Sequence, residues 1–158
     1  MWKAKKENLG EVRGNITYGE SLGDIYKNTP FGIYGKLNNI LNLNINENDA
    51  IDVASREEIK LGKATILCAI HDGKKEEYEI EIQKIFINNN ENNKSMLIKI
   101  TDDKLLDRTG GIIQGMSGSP IIQDGKFVGA ITHVLINDPQ MGYGVFGDIM
   151  IKASRDAN

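Results

Sequence analysis

The residues best placed to do chemistry are Gly115-Met116-Ser117-Gly118-Ser119-Pro120, a serine inside a glycine-rich turn between two strand-like segments. A serine hydroxyl is a poor nucleophile. To attack a carbonyl it must be held on a fixed turn, beside a base, with N–H donors aimed at the oxyanion that develops. Glycines at 115 and 118 let the backbone turn sharply and let a substrate carbonyl approach the main chain. The Gly115 and Ser117 N–H groups are then the natural oxyanion donors. Pro120 holds Ser119 extended, which suits the start of the strand Ile121-Ile122. The plain alternative is an ordinary turn, but from average Gly, Ser and Pro usage a G-x-S-G-x-P match arises in under about 1% of chains this long.

A serine of this kind needs a base and an orienting acid, and the sequence offers few. It holds two histidines, His71 and His133. His71 follows the apolar run from Ala64 to Ile70 and precedes Asp72-Gly73, so it reads as a surface residue at the end of a hairpin strand. Asp102, after the strand-like Leu97-Ile98-Lys99-Ile100 and beside Asp103, reads from its spacing as a turn former or a helix cap. The single cysteine, Cys68, lies in an apolar strand and excludes an internal disulfide. Neither C-x-x-C nor H-E-x-x-H spacing occurs, so no metal and no cofactor is expected.

The elements that must position Ser117 read mainly as strands. Ala64–Ile70 is an apolar run, and Tyr78, Ile80 and Ile82 alternate with Glu79, Glu81 and Gln83 before Ile85-Phe86-Ile87, giving a hairpin with one wet face. Ser95–Thr101, then Ser119–Gln123 and Lys126–Leu135 around Asp124-Gly125, extend the set; Gly144–Ile151, Gly10–Thr17 and Phe31–Leu37 add three more. Only Lys104–Arg108 and Arg56–Leu61 look briefly helical. Short strands with glycine-rich turns favour a barrel or sandwich. The asparagine-rich stretches 38–48 and 88–93 read as solvated loops.

With 158 residues, 40% of them hydrophobic, and a formal net charge of −3, the composition is that of one globular domain. Lysines and acids are interspersed and no basic stripe carries aromatics, so nucleic acid is not an expected partner. No signal peptide or spanning helix is legible, and the chain itself is expected to be soluble, without membrane contact.

Leu97 to Met150 resembles the core of the stage IV sporulation protein B serine peptidases, through GGIIQGMSGSPIIQDGK, then GAITHV, NDP and GYGV in order; ESLGDIYKNTPFGIYGKL at 20–37 is a weaker match. The resemblance implies a mainly β, chymotrypsin-like serine peptidase barrel, its second barrel largely complete and its first partial. It places the nucleophile at Ser117 and the acid at Asp102, with Asp103 as the fallback. The family's histidine lies in an upstream Gly-His pair that this sequence lacks. The chain therefore reads as one serine peptidase domain, 1–158, missing its amino-terminal part, with His133 a pocket wall or core residue. By analogy with chymotrypsin-like barrels, Thr132, His133, Gly142 and Gly144 line the substrate pocket. The implied partner is a protein or peptide substrate in a sporulation signalling cascade, with self-cleavage in the full-length protein. Full-length family members are membrane-associated in the space between mother cell and forespore.

Two readings follow. One is a serine endopeptidase working through an acyl-enzyme at Ser117, its activity in this chain dependent on the absent histidine. The other is a catalytically inactive, peptidase-derived barrel that holds a peptide or regulates. An α/β-hydrolase is disfavoured, because its G-x-S-x-G elbow runs into a helix, whereas Pro120-Ile121-Ile122 runs into a strand.

Overall fold

The alternating and β-branched segments pair into one closed barrel. The computed structural model describes residues 11–12, 18–19, 21–38, 50–70, 73–87 and 94–155. In chain order its elements are β1 (Gly23–Thr29), β2 (Gly32–Leu37), β3 (Gly62–Cys68), β4 (Glu76–Ile85), β5 (Met96–Ile100), α1 (Asp103–Thr109), β6 (Pro120–Gln123), β7 (Lys126–Leu135), β8 (Asp138–Phe146) and α2 (Gly147–Arg155). Six strands close in the order β3-β4-β5-β8-β7-β6, every neighbour antiparallel, with Ile66 opposite Ile121 at the seam. β1 and β2 form a separate two-stranded sheet. Closure matters because it leaves the barrel no open edge.

The side-chain pattern of β4 explains why this closure is favourable. Tyr78, Ile80 and Ile82 are at most 1% exposed, while Glu77, Glu79, Glu81 and Gln83 face water. Met96, Ile98 and Ile100 of β5 alternate in the same way and are fully buried. These side chains, with Ile66, Ile121 and Phe146, make one core. Each such side chain contributes about 1.5–3 kcal/mol on burial.

Several sequence expectations shift. β8 begins at Asp138 and stops at Phe146, and the Gly144–Ile151 strand gives way after Phe146 to α2. Ile149, Met150 and Ile151 look strand-forming, but Asp148 in the first turn and Lys152 and Arg155 in the last suit a helix dipole. Arg56–Leu61 is not a helix. It makes a single turn, in which the Ser55 N–H is taken by Glu58 Oε2 at 2.8 Å, before Gly62 starts β3. The strand expected over Gly10–Thr17 lies outside the described residues except for Glu11 and Val12, as do most of both asparagine-rich stretches. β1 was not legible in the sequence.

Candidate active site

The turn carrying Ser117 is built by the segment between α1 and β6. Met116 is the anchor: its side chain is 1% exposed in the core, and its Sδ accepts the Ile113 N–H at 3.3 Å. The next residue is thereby pushed outward, and Ser117 is exposed. Gly115 and Gly118 have φ of +95° and +93°, a region that side-chain-bearing residues rarely adopt. The turn is stitched to β7 by Gly118 N–H to Ile131 O at 2.8 Å and Ile131 N–H to Ser119 O at 3.0 Å. On its other side, the Val12 N–H reaches Gln114 O at 2.8 Å, and a Cβ at Gly115 would collide with the Val12 backbone.

Ser117 opens onto a cleft of about 370 Å³ between β7 and the tip of the β1–β2 hairpin. Thr132, His133 and Ala130 form one wall with Gly118, and Asn28, Thr29, Pro30 and Phe31 form the other. The hairpin is tied to the end of α2, where Lys27 Nζ donates to Ala153 O at 3.2 Å and the Tyr26 hydroxyl to Ser154 O at 3.4 Å. The Ser117 hydroxyl itself donates to the Thr132 carbonyl at 3.0 Å. In this arrangement its proton rests on backbone, so activation requires a base to draw it away.

The structure brings some of the expected residues together and not others. Ser117, Thr132 and His133 share the cleft. Gly142 and Gly144 do not line it: both are buried, Gly142 beneath Ile112 Cδ1 and Gly144 against Ile121 and Met96. They are glycines because the barrel interior has no room for a side chain there. Asp102 is likewise not among the residues that line the cleft. It is the N-cap of α1, its Oδ1 accepting the Leu105 N–H at 2.9 Å and its Oδ2 the Glu79 N–H at 3.2 Å. Both oxygens accept from backbone N–H groups, the capping arrangement that the spacing alone had indicated. Asp103 follows it in the first turn of α1 and is exposed. His71 lies outside the described residues.

Cys68 is half-buried, and its thiol is pushed up to about 11, first by burial and then by Glu76. That is the reverse of what a nucleophilic thiolate needs. Among the described residues there is no group of three His, Cys, Asp or Glu side chains that could hold a metal ion. No helix among them is long and apolar enough to cross a membrane.

Sequence reasoning missed three parts of this site. An apolar residue inside a glycine-rich turn was the available signal for Met116 as the anchor. The hairpin tip was visible only as part of a weak family match. Val12 beside Gly115 had no local signal, since it depends on a contact about a hundred residues apart in the chain.

This geometry can be compared with known proteins. The active form of the Rv3671c protease from M. tuberculosis superimposes with a TM-score of 0.56 at 14% identity, covering 86% of this chain and 58% of that one. An inactive form of the same protease gives 0.55 at 14% identity, covering 86% and 67%. Its inactive Ser343Ala mutant gives 0.54 at 13%, covering 85% and 64%. This chain thus spans 58% of the first of these structures, and the likeness is one of fold, the chymotrypsin-like β-barrel. A search of curated proteins returned no match. The family model described as SpoIVB peptidase S55 matches residues 1–151, nearly the entire sequence. A closed six-strand barrel presenting a serine on a glycine-rich turn accords with that match, and the chain belongs to the SpoIVB peptidase S55 family.

Proposed function

We propose that this chain carries the nucleophile of a serine endopeptidase that cleaves a protein substrate in a sporulation signalling cascade. Ser117 Oγ attacks the scissile carbonyl carbon, and its proton passes to an imidazole and then to the leaving amine. The oxyanion is held by the Gly115 and Ser117 N–H groups, and water hydrolyses the resulting ester to regenerate the hydroxyl. His133 shares the cleft, but the Ser117 hydroxyl donates to Thr132 O rather than to it, so this reading does not assign His133 as the base. Asp102 is better read as a cap than as the orienting acid.

The observation that carries this reading is the exposed Ser117, held by Met116 beside two glycines with positive φ, at the mouth of a cleft. A second reading, a peptide-holding module without catalysis, is favoured by the hydrogen bond from Ser117 to Thr132 O. A fluorophosphonate probe separates them. Covalent labelling that disappears in Ser117→Ala and survives in His133→Ala supports the peptidase. Absence of labelling, together with measurable binding of an extended peptide, supports the module and overturns the peptidase.

A further inference from the structure

The tip of the β1–β2 hairpin has a cavity on each side, and the two differ in charge. Thr29, Pro30 and Phe31 line both the cleft at Ser117 and a second cavity of about 520 Å³ between the hairpin, α2 and the turn before β3. Among the described residues, no Lys, Arg, Asp or Glu lines the cleft. The second cavity gathers Lys27, Arg56 and Lys152 against the single acid Asp148. We propose that this second cavity binds the carboxylate of an apolar ligand, and that its occupation fixes the hairpin tip that walls the Ser117 cleft. The proposal goes beyond the reading of Ser117 as nucleophile and does not depend on it.

The three cations are not equivalent. Arg56 is committed to the protein: its Nε donates to Asp148 Oδ2 at 2.7 Å, and its guanidinium lies 5.2 Å from the centre of the Phe146 ring. That pair leaves the cavity with the charge of two lysines. Lys27 Nζ gives one hydrogen to Ala153 O at 3.2 Å, and an ammonium has three. Lys152, one residue before Ala153 in α2, is exposed and makes no hydrogen bond or ion pair with a described residue. The dipole of α2 suits cations near its last turn, yet most of the lysine hydrogens are not spent there. Two lysines with donors to spare favour an anion, while Phe31 and Ile149 in the same lining favour an apolar body behind it. The volume is in the range usual for small-molecule sites.

Coupling to the cleft follows from the bonds of the tip itself. The Phe31 N–H donates to Thr29 Oγ1 at 3.1 Å, and the hydroxyl of the buried Tyr34 donates to Phe31 O at 3.3 Å. Residues 29–31 therefore move as one piece that borders both cavities. A carboxylate held between Lys27 on the hairpin and Lys152 on α2 bridges the two elements that Lys27 and Tyr26 already join, and so opposes their separation.

The test uses the native chain and two apolar acids, 3-phenylpropanoate and N-acetyl-alanyl-phenylalanine, each beside its primary amide. Calorimetry should show the acid binding roughly 10-fold or more tightly than its amide. The tighter of the two acids then says whether a free organic acid or a peptide C-terminus fits better. At ten times its Kd, that acid should slow amide exchange in β1 and β2 about 10-fold, since a ligand that holds only the closed hairpin lowers the open population in that proportion. Lys152→Ala should weaken acid binding roughly 5-fold or more, and Lys152→Arg, which keeps the charge, should restore most of it. Equal affinity for acid and amide, or acid binding unmoved in Lys152→Ala, overturns the site. Binding that leaves hairpin exchange unchanged overturns its hold on the tip, and no binding of either acid overturns both. A Ser117 that takes no fluorophosphonate overturns the nucleophile instead and leaves each of these readouts standing.

Discussion

The two walls of the cleft are held by different physics. On the barrel side Ser117 sits on a turn whose anchor, Met116, is 1% exposed and whose backbone is bonded to β7 at Gly118 and Ile131. On the hairpin side β1 and β2 leave Ile25 71%, Ile33 64% and Leu37 45% exposed, with Tyr34 as the one buried hydrophobic side chain among the described hairpin residues. Two bonds from side chains, Lys27 to Ala153 O and Tyr26 to Ser154 O, tie the hairpin to α2. The barrel wall should therefore open only with global unfolding, whereas the hairpin wall can open locally at much lower free energy. The proposed oxyanion donors, at Gly115 and Ser117, belong to the stable wall, and access to the cleft is set by the labile one.

The largest test of that contrast removes the anchor. Met116→Ala empties a fully packed site and is expected to cost about 2–5 kcal/mol. Urea denaturation should show a lower midpoint at an unchanged slope, and fluorophosphonate labelling should fall as the turn loosens. A loss below about 1 kcal/mol would mean that the turn is held by its backbone bonds alone and that the barrel wall is less rigid than its burial indicates.

Next in size is Asp102. Asp102→Ala removes the acceptor for Leu105 and Glu79 and should cost about 1 kcal/mol, whereas Asp102→Asn, itself a good cap, should recover most of it. Because the capping task lies away from the cleft, labelling of Ser117 should be unchanged in Asp102→Asn. A stable Asp102→Asn protein with abolished labelling would restore Asp102 as the acid that orients the base, as the family resemblance implied.

The same residue shows what the sequence could and could not disclose. Periodicity found β4 because Tyr78, Ile80 and Ile82 each face the core, a local fact about alternation. Lys126–Leu135 emerged with the bounds read from the sequence, since Asp124-Gly125 and the β-branched run mark both ends. Gly142 and Gly144 were legible as glycines that mattered, but whether they faced a pocket or the interior depends on Ile112, Ile121 and Met96, which lie on other elements. Asp102 could be read as a cap from its neighbours alone; the family analogy pulled it toward catalysis. Side-chain alternation and turns are written locally. Which residues share a cleft is decided by the register of β7 against β8 and by where the hairpin docks.

A smaller effect probes the outer face of the barrel, where Glu76 joins β4 to α1. Its carboxyl is held down to about 2 from an ordinary 4.5, first by Lys104 and then by Tyr78, with Arg108 adding to both. A lowered folded-state value means that the contribution is complete above about pH 4.5 and is lost as pH falls toward 2. Thermal melting of the native chain and of Glu76→Gln should therefore differ at pH 6 and converge near pH 2. A constant difference across that range would show that the carboxylate pairing contributes nothing, as is common for exposed ion pairs.

The smallest effect isolates the hairpin. Lys27→Ala removes one half-buried bond to Ala153 O, outside the barrel core, so global stability should stay within about 0.5 kcal/mol. Amide hydrogen exchange should respond nonetheless, because the hairpin opens without the barrel. Exchange in β1 and β2 should rise several-fold while Ile98, Ile121 and Ile131 keep their protection. If the barrel amides quicken in step with those of the hairpin, the two walls form one cooperative unit. The cleft would then open only when the nucleophile turn itself is lost, and a substrate could not be admitted by moving the hairpin alone.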